Sequence, residues 1–269
     1  MSYSVLMSVY HKEKPEYLKR SIESILAQTV QTDDLVLVCD GPLNPELDSV
    51  IKEFQAKVSV LHVVRLEKNG GLGNALNEGM KQCRNEIVAR MDTDDIAHPD
   101  RCEKQLAIFA AKDVDIVSAA IEEFSISPNL IDSRRIPPEY HNDICSFAKK
   151  RNPFNHPCVM YRKSAVEKAG GYQEIFLLED YFLWVRMLIN GSKGYNIQEP
   201  LLWMRAGSDM YKRRGGWKYA KAQKVLFKYM RDHEFIGAKD YYMSCLIRTA
   251  SACAPNWLRE GMFKKFLRK

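Results

Sequence analysis

The sequence predicts an α/β fold with a mostly parallel sheet flanked by helices, followed by a mixed region and C-terminal helices. Three observations carry that expectation. Over the first 120 residues, short apolar runs rich in Val, Ile and Leu alternate with segments of helical periodicity, the pattern of βα units around a parallel sheet. Pro15, Pro45 and Pro99 sit where a helix tolerates a missing backbone N–H, in its first turn. Polar and glycine residues cluster just after the apolar runs, where open α/β sheets bind ligands.

In chain order, strands are expected near 3–9, 34–39, 58–65, 86–91 and 114–121, and helices near 15–28, 44–56, 72–84 and 99–112. The opening run alternates in the manner of a first strand. After Ile121 the pattern breaks into a Pro- and charge-containing stretch, Ser127 to Tyr140, and then short mixed elements to about Arg205. From Gly216 onward the chain reads as helices, with amphipathic candidates at 217–235 and 255–268. Three regions follow: 1–121, 122–210 and 211–269.

With 269 residues and 46% hydrophobic content, the chain can bury a full core, which excludes disordered and fibrous classes. Its apolar runs, such as Val5 to Val9 and Val114 to Ile121, fall short of the roughly 18 residues a membrane span needs. MSYSVLMSVYH has no basic leader or small-residue cleavage site, so a cytoplasmic location is expected. The seven cysteines are scattered singly, without zinc spacing, and read as reduced thiols. The net charge of +6 is concentrated late, between Lys212 and Arg231 and again in the tail, which favours an anionic partner.

The strongest chemical signal is IVARMDTDD at 87–95. A strand ending in Asp92-Thr93-Asp94-Asp95 presents carboxylates at i and i+2 on one side of the backbone, where both can face one divalent cation. Such an ion can bridge phosphate oxygens and neutralise a diphosphate leaving group. A solvated acidic turn and a phosphatase-like nucleophile at Asp92 are the competing readings. An EF-hand is excluded, because Ala97 stands where that loop needs Gly. The stretch NGGLGNALNEG at 69–79 opens a helix and can present N–H groups to an anion. Leu76 stands in place of the third glycine of a dinucleotide fingerprint, and a helix start needing a permissive backbone explains it equally. Asp40-Gly41 is either a ligand-facing carboxylate or a turn cap. Glu179-Asp180 begins the apolar helix of LLEDYFLWVRM, as ordinary first-turn acids or as a general base for a hydroxyl nucleophile.

Taken in order, SVLMSVYHKEKPEYLKRSIESILAQT, LVCDGP, NGGLGNALNEG, MDTDD, NHPCVMYRKSAVEKAGGY, LLEDYFLWVRM and EPLLWMRAGSDM resemble glycosyltransferase family 2, with the GT-A fold. The chain is also similar to bacterial enzymes that assemble O-antigen or exopolysaccharide repeat units on undecaprenyl diphosphate. The resemblance implies an inverting transferase that moves a hexose, glucose or galactose, from a UDP-sugar to a lipid diphosphate-linked sugar. It implies that Tyr10 and Glu13 line the nucleotide pocket, Asp40 binds uracil, and Asp92 faces the ribose. Asp94, with Asp92, would hold Mn²⁺ or Mg²⁺, and Gly71 and Asn77 would lie on the donor side. Asp180 would be the base, with Glu179 beside it, and His156 and Asp95 on the acceptor side. Arg205, Arg213 and Arg214 would belong to a basic segment closing on the diphosphate. Many relatives read Asp-Asp-Gly-Ser after the second strand, where this chain has Cys39-Asp40-Gly41-Pro42.

The tail then suggests a partner. A helix over 255–268 would put Leu258, Met262, Phe263, Phe266 and Leu267 on one face and basic residues on the other, suiting an anionic membrane surface on the cytoplasmic side of the inner membrane. Packing on the body is the alternative. Nucleic acid is not an expected partner, because no aromatic-basic stacking platform appears.

Overall fold

The computed structural model describes residues 1–206 and 215–253. One mixed sheet dominates. Strands β1 (Ser4–Val9), β2 (Asp34–Cys39), β3 (Leu61–Arg65) and β4 (Ile87–Asp92) run parallel in the order β3-β2-β1-β4. The sheet continues through β8 (Met160–Arg162), β6 (Ile116–Phe124) and β9 (Gly194–Arg205) to β5 (Ile96–Ala97), with β7 (Ser133–Arg135) paired to β6. β8 is antiparallel to both of its neighbours, β4 and β6. It therefore wedges the later part of the chain directly beside the strand that carries the aspartates. β6 crosses the boundary expected at residue 121 without a break, so the sheet joins the first two regions.

The proline signals hold for two helices. Pro15 and Pro45 open α1 (Pro15–Leu26) and α2 (Pro45–Lys57), and Asn44 caps the latter by accepting from the Leu47 N–H at 2.8 Å. Pro99 is the exception: α4 starts at Arg101, because 96–97 first pairs with β9 as a short strand. α3 is Leu72–Gln82. The later helices are α5 (His141–Ala148), α6 (Lys163–Lys168), α7 (Glu179–Ile189), α8 (Trp217–Asp232) and α9 (Ala238–Cys253). The amphipathic segment expected at 217–235 is α8, ending three residues earlier. The helix expected at 255–268 lies outside the described residues.

Alternation along the strands builds two cores. Val5, Met7 and Val9 of β1, with Leu35 and Leu37 of β2, pack beneath α1, α2 and α4. Leu6, Val36, Val38 and Val88 face the opposite side, against α3 and α7. A third cluster joins Tyr181, Phe182 and Val185 of α7 to Leu226, Phe227 and Met230 of α8.

α3 packs closely on the sheet at Gly79, where an added Cβ would stand 2.4 Å from Leu6 Cδ1 and 2.5 Å from Val38 Cγ2. Close packing there leaves no room for a methyl group. Gly79→Ala is expected to destabilise the protein by roughly 1–3 kcal/mol, measurable as a lower midpoint of urea unfolding; an unchanged or raised midpoint would show that the interface yields.

Candidate functional site

Alternation on β4 puts Arg90 and Asp92 on the α7 side of the sheet, next to Val88. Arg90 is 1% exposed. Its Nη1 donates to Asp92 Oδ2 at 2.7 Å and its Nη2 to Asp92 Oδ1, a two-pronged fork that fixes the carboxylate. The Asp92 carbonyl accepts from Ser21 Oγ of α1 at 2.8 Å, so strand and helix both hold this residue. Sequence reading passed over Arg90. Its signal was a charged residue inside an apolar strand, which requires a buried partner.

Carboxylate oxygens of Asp92, Asp94 and Asp95 lie within 4.8 Å of one another. At an effective dielectric of about 20, each such pair repels by roughly 3–4 kcal/mol. Burial and the Asp92 charge push Asp94 up to about 7. Burial, Asp94 and Asp92 push Asp95 well above the ordinary carboxylate range. Asp95 is only 1% exposed; Oδ1 accepts from the Arg205 N–H at 2.8 Å, and Oδ2 is buried without a hydrogen-bond partner among the described residues. Three hard oxygen donors, mutually repelling and with one lone pair left unmatched, fit a divalent cation. Asp95, expected on the acceptor side, lies within the triad, where the Arg205 N–H of β9 holds its carboxylate.

The other residues expected on the donor side are held by separate contacts. Tyr10 is exposed at the end of β1. Glu13 accepts from Thr93 Oγ1 at 3.0 Å and from the Lys14 N–H at 2.8 Å, and burial raises its pKa. Asp40 is nearly enclosed, and its two oxygens accept from the Gly70 and Gly71 N–H groups at 2.7 and 3.1 Å. It latches the glycine turn to β2. Gly41, at φ +83°, lets that turn close, since a Cβ there would sit 2.5 Å from the Asn69 nitrogen. Asn77 donates to the Tyr172 carbonyl and accepts from the Tyr172 N–H, both at 2.8 Å, clamping a distant loop. The Arg205 guanidinium lies between the Tyr17 ring at 3.7 Å and the Phe124 ring at 4.7 Å, and its Nε donates to the Asp94 carbonyl at 3.2 Å. It braces the aspartate turn. Arg213 and Arg214 lie outside the described residues.

A second carboxylate pair stands at the N-terminus of α7. Asp180 accepts from Asn152 Nδ2 and from the Tyr181 N–H, each at 2.6 Å. Burial and the neighbouring Asp180 push Glu179 up to about 7, with Arg90 opposing and Asp92 adding to the rise. His156 is buried rather than open to an acceptor: its Nε2 meets the Tyr172 hydroxyl at 2.9 Å and its ring packs edge-on against Trp184. Burial and the charge of Arg90 hold it well below the usual histidine range, as a neutral wall of the site. Asn152 and Tyr172, like Arg90, were missed in the sequence, because only the fold brings them to α7 and β4.

The model of glycosyl transferase family 2 matches residues 4–170. The chain is 41% identical over 267 residues, 98% of each chain, to the amylovoran biosynthesis glycosyltransferase AmsE of Erwinia amylovora. It is 37% identical over 272 residues to the UDP-Gal:alpha-D-GlcNAc-diphosphoundecaprenol beta-1,3-galactosyltransferase of Escherichia coli, covering 99% of this chain and 97% of that one. Among solved structures, S. aureus TarS 1-349 in complex with UDP-GlcNAc superposes with a TM-score of 0.71 at 16% identity, over 98% of this chain and 75% of that one. The mannosyltransferase PcManGT from Pyrobaculum calidifontis, in complex with GDP-Man and Mn²⁺, does so with 0.66 at 17% identity, over 96% and 72%. These two share the fold, which is GT-A. Sequence order, fold and relatives agree, and the chain belongs to glycosyltransferase family 2.

Proposed function

We propose that this glycosyltransferase transfers glucose or galactose, with inversion, from a UDP-sugar to a sugar carried on a lipid diphosphate, in O-antigen or exopolysaccharide assembly. The observation that carries the reading is the aspartate triad with Asp92 held by Arg90, together with Glu179–Asp180 at the start of α7, where the charges of Arg90 and Asp92 reach Glu179. A relative 37% identical along nearly its whole length, whose name specifies UDP-Gal and a GlcNAc-diphosphoundecaprenol acceptor, supports both substrate classes. On this reading residues 1–121 bind the donor, 122–210 build the acceptor side, and 211–269 form a basic helical appendage that meets an anionic membrane surface.

Tyr10, Glu13 and the Asp40-latched turn bearing Gly71 enclose the nucleotide, with Asp92 toward the ribose. Asp94, assisted by Asp92 and Asp95, would hold Mn²⁺ or Mg²⁺; the solved PcManGT complex with Mn²⁺, which shares the fold, supports this choice. Once bound, the ion neutralises charge on the departing diphosphate. Asp180, oriented by Asn152, takes the proton of the acceptor hydroxyl as that oxygen attacks the anomeric carbon. One displacement with one base turns an α-linked donor into a β-linked product. The phosphatase-type reading has less support, since the family match and the relatives are all glycosyltransferases. A module that binds UDP with metal but transfers nothing is the remaining alternative, and turnover separates the two.

Asp94→Ala is expected to abolish metal-dependent UDP binding in titration calorimetry. In wild type, a cation binds the ionised triad while free Asp94 titrates at about 7. Mn²⁺ affinity should therefore fall as pH drops below about 7, with proton release on binding; an affinity that is flat with pH would contradict the triad site.

Asp180→Asn should lower kcat on the order of 10²–10⁴-fold with donor affinity intact. Glu179→Gln should keep transfer within about tenfold; the reverse outcome assigns the base to Glu179. The same substitution tests burial of that charge. Glu179 is raised from about 4.5 to about 7 by folding, so the stability it supports is complete below about 4.5 and is lost as pH rises through about 7. Glu179→Gln should thus stabilise the metal-free protein at pH 8 by on the order of 1–3 kcal/mol, with no difference near pH 4.5, read from denaturant unfolding.

A further inference from the structure

We infer that the outer face of the α8–α9 hairpin is the surface on which this protein settles onto an anionic bilayer. The inference rests on the reading of a lipid-linked acceptor and adds to it the elements and residues that meet the lipid. α9 is apolar on two sides. Tyr241 packs inward on the cluster shared with α7 and α8, while Tyr242, Met243, Leu246 and Ile247 form a ridge on the opposite side, with Leu246 67% exposed. A helix of this kind needs an apolar medium on its second face.

The neighbouring helix supplies the complementary charge. Along the outer side of α8, Lys218, Lys221, Lys224 and Lys228 accompany Trp217, which is 64% exposed, and Val225. The backbone closes the hairpin at this end, where the Gly216 N–H donates to the Ala252 carbonyl at 2.8 Å. Between residues 215 and 253 there are seven basic side chains and three acidic ones, and the sequence directly following α9 adds Arg259, Lys264, Lys265, Arg268 and Lys269. Aliphatic side chains seated at the acyl boundary, a tryptophan at headgroup level and lysines on lipid phosphates are the signature of an interfacial helix pair. A protein partner that matched the apolar ridge alone would leave Lys221 and Lys224 unanswered; Lys228 already pairs with Asp232 and Lys218 lies over the Phe176 ring.

The hairpin is also fastened to the acceptor side of the site. Arg248 of α9 donates to the Lys150 carbonyl, Tyr181 donates to the Ala148 carbonyl at 2.6 Å, and two residues further on Asn152 holds Asp180. Docking through α8–α9 would therefore fix the height of Glu179 and Asp180 above the bilayer, where a membrane-borne diphosphate sugar must present its hydroxyl.

The test is co-sedimentation of the full chain with vesicles of phosphatidylcholine containing about 30% phosphatidylglycerol, and with phosphatidylcholine alone. Wild type should pellet with the anionic vesicles, release with added salt, and pellet little with the neutral ones. The ridge variant Leu246→Glu/Ile247→Glu and the charge variant Lys221→Glu/Lys224→Glu should each lose at least tenfold in partitioning. Both should keep wild-type unfolding midpoints and turnover of a detergent-soluble, short-chain acceptor. Wild-type partitioning by either variant overturns the assignment. So does binding that vanishes on deletion of 254–269 but survives both hairpin variants, or a dimer in light scattering that the ridge variant splits without changing vesicle binding. Inactivity of wild type with every lipid diphosphate-linked acceptor would overturn the proposed function alone, since the vesicle result does not depend on turnover.

Discussion

A guanidinium cannot shed its proton inside a protein, so an enclosed arginine must find anionic or carbonyl partners wherever the fold puts it. Arg90 is such a residue, and the mouth of the sheet is organised around it. Its fork removes the rotational freedom of Asp92 and offsets part of the repulsion among three clustered carboxylates. Removing one member of a buried pair leaves the other charge uncompensated at a cost of about 3–5 kcal/mol. The aspartate run can therefore stand preassembled before any cation arrives, and a preassembled site is what electrostatic assistance to a leaving group requires.

The same positive charge reaches the other half of the site. It opposes the rise of the Glu179 pKa and helps keep His156 neutral. Two carboxylate clusters brought together without an intervening cation would repel each other across the cleft. Insertion of β8 between β4 and β6 makes the arrangement possible, since it places the His156 turn against the end of β4 while the 148–152 segment reaches Asp180. Asn77 completes the frame by holding the Tyr172 backbone from α3.

α7 links this chemistry to the rest of the molecule. Its first turn carries Glu179 and Asp180, its middle packs Trp184 and Met187 on the sheet, and its far side receives α8. The carboxylate pair and the packing surface for the C-terminal hairpin therefore share one helix. Arg205 plays a comparable part on the other flank, bracing the aspartate turn between Tyr17 and Phe124 just before the chain enters residues 207–214.

The sequence by itself determined the parallel half of the sheet, the helices that flank it and the family, because alternation, helix-opening prolines and ordered motifs are local signals that fall in order along the chain. Strand β6 and the position of Pro99 were misjudged at their ends, where pairing with β9 overrides local preference. The acidic run and the Glu179–Asp180 pair were visible as residues, but the Arg90 fork on Asp92 and the Asn152 hydrogen bond to Asp180 were not. Tertiary structure alone decided that Asp95 turns into the triad, that Asp40 and Asn77 spend their hydrogen bonds on backbone, and that His156 is a buried wall. Each of those outcomes depends on partners more than 15 residues away in the chain. No local pattern encodes such contacts; they exist only once the sheet order and its antiparallel insertion are set.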